Sequence, residues 1–259
     1  MRSLIGKLIR FTTGKRILLP NYLSKGTEAS DLINSLVHLR QFRGRYLEVG
    51  VENGLTFESV RLRQRVGVDP QPRFRATFLT PWIKFHKLTS DAFFEKNTQL
   101  FDIIYLDGLH TAEQTLKDFH NAMKWLSKEG VIVIDDTIPS DMYSAVPNQE
   151  EAYRLRREFG NSSDTSWHGD VFKVVDVVSS FMGESLNIAT IVSLDNPKTI
   201  VWRKTNDSRI DWEPRNFFEK LNQMDYETTF SHGIPSNFRP IKWNQLERLF
   251  DQTQTNISE

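Results

Sequence analysis

The sequence predicts an α/β protein: a doubly wound, mostly parallel seven-stranded sheet with an antiparallel last strand and helices on both faces. Three observations predict it. Short apolar runs rich in β-branched residues alternate along the chain with segments whose apolar residues recur at helical spacing. The strand-like runs end in Gly or Asp, as strands do where they turn into helices at one edge of a sheet. Two final strand-like runs lie close enough together to form an antiparallel hairpin.

The elements follow in order. Leu32, Leu36, Leu39 and Phe42 share one face, which predicts a helix over 28–43 ended by Gly44. Tyr46–Val49 reads as a buried strand, followed by the turn Gly50-Val51-Glu52-Asn53-Gly54 and a helix over Leu55–Leu62. Val66–Asp69 is a second strand, closed by Pro70, and Trp82–Leu88 a third. Phe101–Leu106 is the fourth, ending at Asp107-Gly108. Leu116, Phe119, Met123 and Leu126 define a helix over 111–127, with Gly130 as its cap and Val131–Ile134 as the next strand. Helices are expected over Glu150–Phe159 and Val171–Phe181, and the hairpin over Asn187–Leu194 and Thr199–Arg203.

Composition narrows the function. The 259 residues carry 33 Lys+Arg against 33 Asp+Glu, so the chain lacks the overall charge of a general nucleic-acid binder. With no cysteine, disulfide frameworks, zinc ribbons, iron–sulfur clusters and thiol nucleophiles are excluded. No apolar run approaches the length of a membrane span, and a cytoplasmic protein is expected. Residues 1–27 form a basic segment in which Leu4, Ile5, Leu8 and Ile9 recur at helical spacing. This helix is read as packing on its own domain or on a second copy in a homo-oligomer. Peripheral membrane contact through residues 1–19 is the alternative. The expected organisation is a catalytic domain over 28–205, a helical and loop extension over 206–250 and a frayed tail over 251–259.

The chemistry gathers at the strand ends. In an open parallel sheet ligands bind beyond the carboxyl ends of the strands. The first strand delivers Glu48 and Gly50, and the second Asp69, placed to accept ribose hydroxyls. The third precedes Ser90 and Asp91, the fourth delivers Asp107 and His110, and the fifth Asp135 and Asp136. The turn lacks the G-x-G-x-x-G spacing of a dinucleotide site and carries Glu48 and Glu52 around it. That charge would repel a diphosphate but suits a ligand bearing an amino group and a sulfonium, S-adenosylmethionine. The plain alternative for the turn is a tight strand-to-helix connection.

The segments YLEVGVENGLTFESV, VGVDP, KLTSDAFF, FDIIYLDGLHTAEQTLKDF and GVIVIDDTIP resemble successive motifs of class I S-adenosylmethionine-dependent methyltransferases with a Rossmann-like fold. They are most similar to the branch of macrocin-type sugar O-methyltransferases. The resemblance covers about residues 45–140, and Trp167–Lys173 is similar to uncharacterised bacterial members of the same group. It implies that Glu48, Gly50, Glu52, Asn53 and Gly54 shape the methionine pocket, that Asp69 holds the ribose, and that Ser90 and Asp91 lie beside the adenine. Asp107 and Gly108 would complete the donor site. It further implies Mg²⁺ held by Asp107, Asp135 and Asp136, with a sugar or glycoconjugate hydroxyl as acceptor. Leu109 stands where some relatives carry a base, so His110 is the candidate base, with Asp135 also catalytic.

Plainer roles stand beside these. Asp107 could cap the helix starting near Thr111, His110 could be structural, and Asp135-Asp136 could cap a turn. Trp167 and His168 are expected in a loop over the pocket, and Asp170 as N-cap of helix 171–181. Arginines 61, 63, 65, 73 and 75 read as a solvated face or an anion-docking patch. The rival functions are a non-catalytic scaffold recruited to a membrane-associated assembly and a nicotinamide oxidoreductase.

Overall fold

A computed structural model describes residues 16–17, 26–75, 80–160, 164–205 and 212–255. The N-terminal helix expected from Leu4 to Ile9 lies outside the described residues. The chain divides into two compact units, Met1–Ile104 and Tyr105–Glu259.

In the first unit, β1 (Arg16–Ile17) and β4 (Phe74–Arg75) form a separate parallel pair. The main sheet of this unit is built from β2 (Arg45–Val49), β3 (Gln64–Val68) and β5 (Ile83–His86), all parallel. β6 (Phe101–Leu106) crosses the unit boundary and flanks β2. The helices are α1 (Glu28–Leu39), α2 (Leu55–Ser59) and α3 (Ser90–Lys96). Thr27 starts α1 through a capping box with Ser30, two reciprocal bonds that satisfy otherwise open N–H groups. α1 stops at Leu39, short of the expected 43, because Gln41 takes a left-handed φ of 53° and turns the chain toward β2. α2 stops at Ser59 instead of Leu62, where the β-branched Val60 is extended. α3 was not foreseen: Thr89 caps it through Ala92 N, so Ser90 and Asp91 form its first turn.

In the second unit, α4 (Ala112–Trp125) leads directly into β7 (Leu126–Ile134). Gly130 therefore lies inside a strand and does not cap the helix. α5 (Gln149–Phe159) and α6 (Phe172–Met182) follow as expected. β9 (Lys198–Arg203) inserts between β7 and β8 (Leu186–Ile191), antiparallel to both. The hairpin turn is longer than expected, because pairing stops at Ile191↔Lys198. α7 (Phe218–Gln223), α8 (Tyr226–Phe230) and α9 (Leu246–Thr255) form the C-terminal part with β10 (Pro240–Ile241). β10 pairs parallel with β8, a strand that was not expected. A two-residue strand opened by proline carries no periodicity for a sequence to reveal. The tail expected to fray from residue 251 is helical through Thr255.

Val131–Ile134 is buried completely, as a strand covered on both faces requires. Among the described residues no helix is long and apolar enough to cross a membrane.

Candidate functional site

The glycine turn of the first unit is built as the strand-to-helix geometry demands. Gly50 has φ 85°, Glu52 φ 45° and Gly54 φ 77°, all left-handed, where glycine pays no steric cost and Glu52 does. Asp69 holds the turn in place. Its Oδ2 accepts from Val51 N at 3.0 Å and Glu52 N at 2.8 Å, and its Oδ1 from Gln71 N at 2.7 Å. This buried carboxylate, expected to face a ribose, thus spends most of its accepting capacity on backbone. Asn53 Oδ1 accepts from Leu55 N at 2.9 Å, opening α2, and Glu52 pairs with Arg73 in solvent at 2.7 Å.

Glu48 is buried and accepts from Tyr46 Oη at 2.6 Å. The nearby Arg65 is also buried, against its expected place on a solvated face. Its Nη1 donates to the carbonyls of Phe57, Glu58 and Val60 within 3.0 Å, closing the end of α2. Burial draws its pKa down, while Tyr46, Glu58 and Glu48 oppose that shift. Ser90 and Asp91 sit on α3, and Asp91 is exposed.

The second unit assembles the other acidic residues. Asp107 and Gly108 follow β6, and Asp135 and Asp136 follow β7, with Asp135 N bonded to Leu106 O at 3.0 Å. Asp136 takes a left-handed φ of 57°, a strained conformation for a side-chain-bearing residue. Its strain is offset by contacts on both carboxylate oxygens: Oδ2 lies 2.7 Å from His110 Nδ1, and Oδ1 accepts from Asn196 Nδ2 at 2.7 Å. His110 Nε2 lies 3.5 Å from Asp107 Oδ1. The imidazole therefore sits between two carboxylates, one on each ring nitrogen. Desolvation opposes its charge, but Asp107 and Asp136 outweigh it and push its pKa up to about 11. Asp136 is drawn down chiefly by His110, against the cost of its burial.

Asp135 belongs to a different pair. Lys198 Nζ lies 2.7 Å from its Oδ1, Asn196 Nδ2 donates to the same oxygen at 3.0 Å, and Tyr105 Oη donates to Oδ2. Burial pushes its pKa up and the Lys198 charge pulls the other way. Asp107 has the fewest fixed contacts, and its side chain keeps 31% exposure. Desolvation first, then repulsion from Asp135, push it up to about 7. His168 is buried, its Nδ1 has no hydrogen-bond partner among the described residues, and desolvation lowers its pKa.

This arrangement does not fit the expected magnesium centre. Ligand atoms of Asp107, His110 and Asp136 lie within 4.8 Å of one another, but Asp135 is outside that group. Lys198 and His110 already supply positive charge to the carboxylates. Mg²⁺ prefers oxygen ligands.

The neighbouring segment also departs from expectation. Asp170 caps α4, not α6: its Oδ1 accepts from Ala112 N at 2.6 Å, because Thr111 gives no side-chain bond there. Asp107 is consequently free of the capping role. Lys198, Tyr105 and Asn196 were missed as site residues. The only sequence signal for Lys198 and Asn196 was their place in the hairpin turn.

Comparison with known proteins now bears on these features. Residues 47–137 match a sequence-family profile described as "Methyltransferase domain". No curated protein matches the chain significantly. Among solved structures it is similar to cofactor-bound Rv0187 from MTB, with 13% identity over 78% of this chain and 96% of that one at a TM-score of 0.50. It is also similar to the O-methyltransferase TomG from Streptomyces achromogenes in complex with SAM, with 15% identity, 70% and 82% coverage and a TM-score of 0.45. A third is the SAH-bound methyltransferase PaMTH1 of Podospora anserina, at 14% identity, 67% and 77% coverage and a TM-score of 0.46. The matched stretch includes the glycine turn, Asp69, Asp107, His110 and both aspartates.

Proposed function

We propose that this chain is an S-adenosylmethionine-dependent O-methyltransferase whose acceptor is a small hydroxylated molecule, a sugar or glycoconjugate. The single observation that carries the reading is the glycine turn braced by Asp69, whose left-handed Gly50 and Gly54 leave its backbone open to a ligand. S-adenosylmethionine, when bound, supplies a methyl group on a positively charged sulfur. The left-handed glycines of the turn let its backbone approach such a ligand closely, and Glu52 and Asn53 offer polar groups beside it.

Asp107 is the general base of this proposal. A base works best with a pKa near the operating pH, and Asp107 is pushed up to about 7 while its side chain stays partly exposed. His110, the base expected from sequence, is charged at that pH and acts as the cation beside Asp107. In the step itself the acceptor oxygen bonds to the methyl carbon and the carbon–sulfur bond breaks, its electron pair staying on sulfur. The acceptor proton passes to an Asp107 oxygen. Alignment of the two reactants supplies much of the acceleration in such a displacement.

Calorimetry with S-adenosylhomocysteine tests the reading. Saturable binding supports it; no heat at millimolar ligand would end it and leave a scaffold with a methyltransferase fold. Magnesium takes second place, favoured only by the grouping of Asp107, His110 and Asp136. An ion there would have to displace the His110 proton, so turnover is expected to survive EDTA. Loss of turnover in EDTA with recovery in Mg²⁺ would reverse that order.

A further inference from the structure

We propose that the segment Asp164–Asp170 is a fixed clamp that holds the His110 imidazole in one orientation, with Trp167 as its positioning residue; this rests on the reading above, in which His110 supports Asp107. Three residues of the segment each hold a different part of the His110 neighbourhood. The Trp167 ring stacks on the imidazole at 4.7 Å between centroids and 11° between planes. Gly169, at φ +62°, passes so close that an added Cβ would lie 1.7 Å from His110 O. Asp170 bonds Ala112 N at 2.6 Å, fixing the first turn of the helix that His110 precedes. Ring, carbonyl and following helix are thereby all held from one strand of chain.

The clamp is itself anchored. Trp167 Nε1 donates to Val146 O at 2.8 Å, and the N–H groups of His168 and Gly169 both donate to Ser144 O within 3.0 Å. The buried Arg156 donates to Ser166 O at 2.6 Å and to Asp141 Oδ1 at 2.8 Å. A segment tied at this many points acts as a support for the ring it covers.

The clamp works together with the two carboxylates. Asp136 stands at Nδ1 and Asp107 at Nε2, and a flip about the Cβ–Cγ bond would turn ring carbons toward both and lose both pairs. A flat indole over one face, anchored by its own N–H, restricts the ring to its plane. It also favours the imidazolium through cation–π attraction. The groups that face or surround the ring are Asp107, Asp136 and Trp167, with His168, Asp135 and Lys198 beyond them.

The test is carbon–proton NMR of the histidine rings in the full chain, with the His110 signals assigned by His110→Gln. In the parent protein the His110 ring protons are expected upfield, under the indole ring current. Trp167→Leu should move them downfield as the ring current is lost. Trp167→Phe, which keeps an aromatic face, should restore much of the upfield shift and serves where the leucine variant fails to fold. His110 shifts unchanged in both variants would overturn the clamp. S-adenosylhomocysteine calorimetry on the same proteins separates the two readings, since absent binding in the parent sinks the methyltransferase proposal without touching the ring shifts.

Discussion

Replacing Lys198 by methionine isolates the electrostatic design of the second unit. Lys198 is 3% exposed and Asp135 7%, and their charged atoms are 2.7 Å apart. Removing one partner of a buried pair costs about 3–5 kcal/mol, because the other charge is left without compensation. Tyr105, Asn196 and the Asp136 N–H still donate to Asp135, which places the expected loss at the lower end, about 3 kcal/mol. With a urea slope of about 3 kcal/mol/M, the unfolding midpoint should fall by about 1 M. Trp202, buried on β9, gives a fluorescence signal. The pH dependence adds a second constraint. Burial raises the Asp135 pKa, and without Lys198 nothing cationic bonds it, so the folded state binds a proton that the unfolded state releases. The deficit is therefore largest where Asp135 is ionised and shrinks as the solution is acidified and Asp135 becomes neutral. Lys198→Met combined with Asp135→Leu removes both charges and should return to within about 1 kcal/mol of the parent. A Lys198→Met protein that loses less than about 1 kcal/mol at pH 8, or loses the same at pH 5, would refute the assignment of this pair as a buried ion pair.

Three other outcomes are expected. Methyl transfer should rise with pH through about 7 as Asp107 ionises, and Asp107→Asn should abolish that limb while S-adenosylhomocysteine affinity, read by calorimetry, changes little. Stability should fall as the pH rises from about 3.8 to about 7, since the Asp107 carboxyl stabilises the fold only while protonated there; the raised His110 adds stability that is complete below 6.5 and lost toward about 11. Arg65→Met leaves three carbonyls at the end of α2 without their donor and should cost about 3 kcal/mol in thermal or urea unfolding. Asp170→Ala removes the cap of α4 and should cost about 1 kcal/mol, whereas a cap on α6 would leave amide exchange at Ala112 unchanged.

Much of the site was legible because its residues follow strands. The apolar runs of β2, β3, β6 and β7 end at Val49, Val68, Leu106 and Ile134, so the residues just beyond each lie at a strand end. The separation of roles among the aspartates was not legible. Asp135 and Asp136 are adjacent in sequence, yet one faces Lys198 and the other His110, a division set by the left-handed backbone of Asp136. Asp69 likewise carried the residue type expected for a ribose contact, and its bonds to the glycine turn appear only when the turn is folded.

The sequence by itself determined the alternation of strands and helices, the glycine turn and the set of acidic residues, because period and residue type act locally along the chain. Tertiary structure alone decided which cation neutralises which carboxylate, since Lys198 comes from a strand 63 residues beyond Asp135 and Asp170 caps a helix 58 residues before it. Charge and hydrogen bonding act through space at about 3 Å, and separation along the chain carries no information about which groups will meet at that distance.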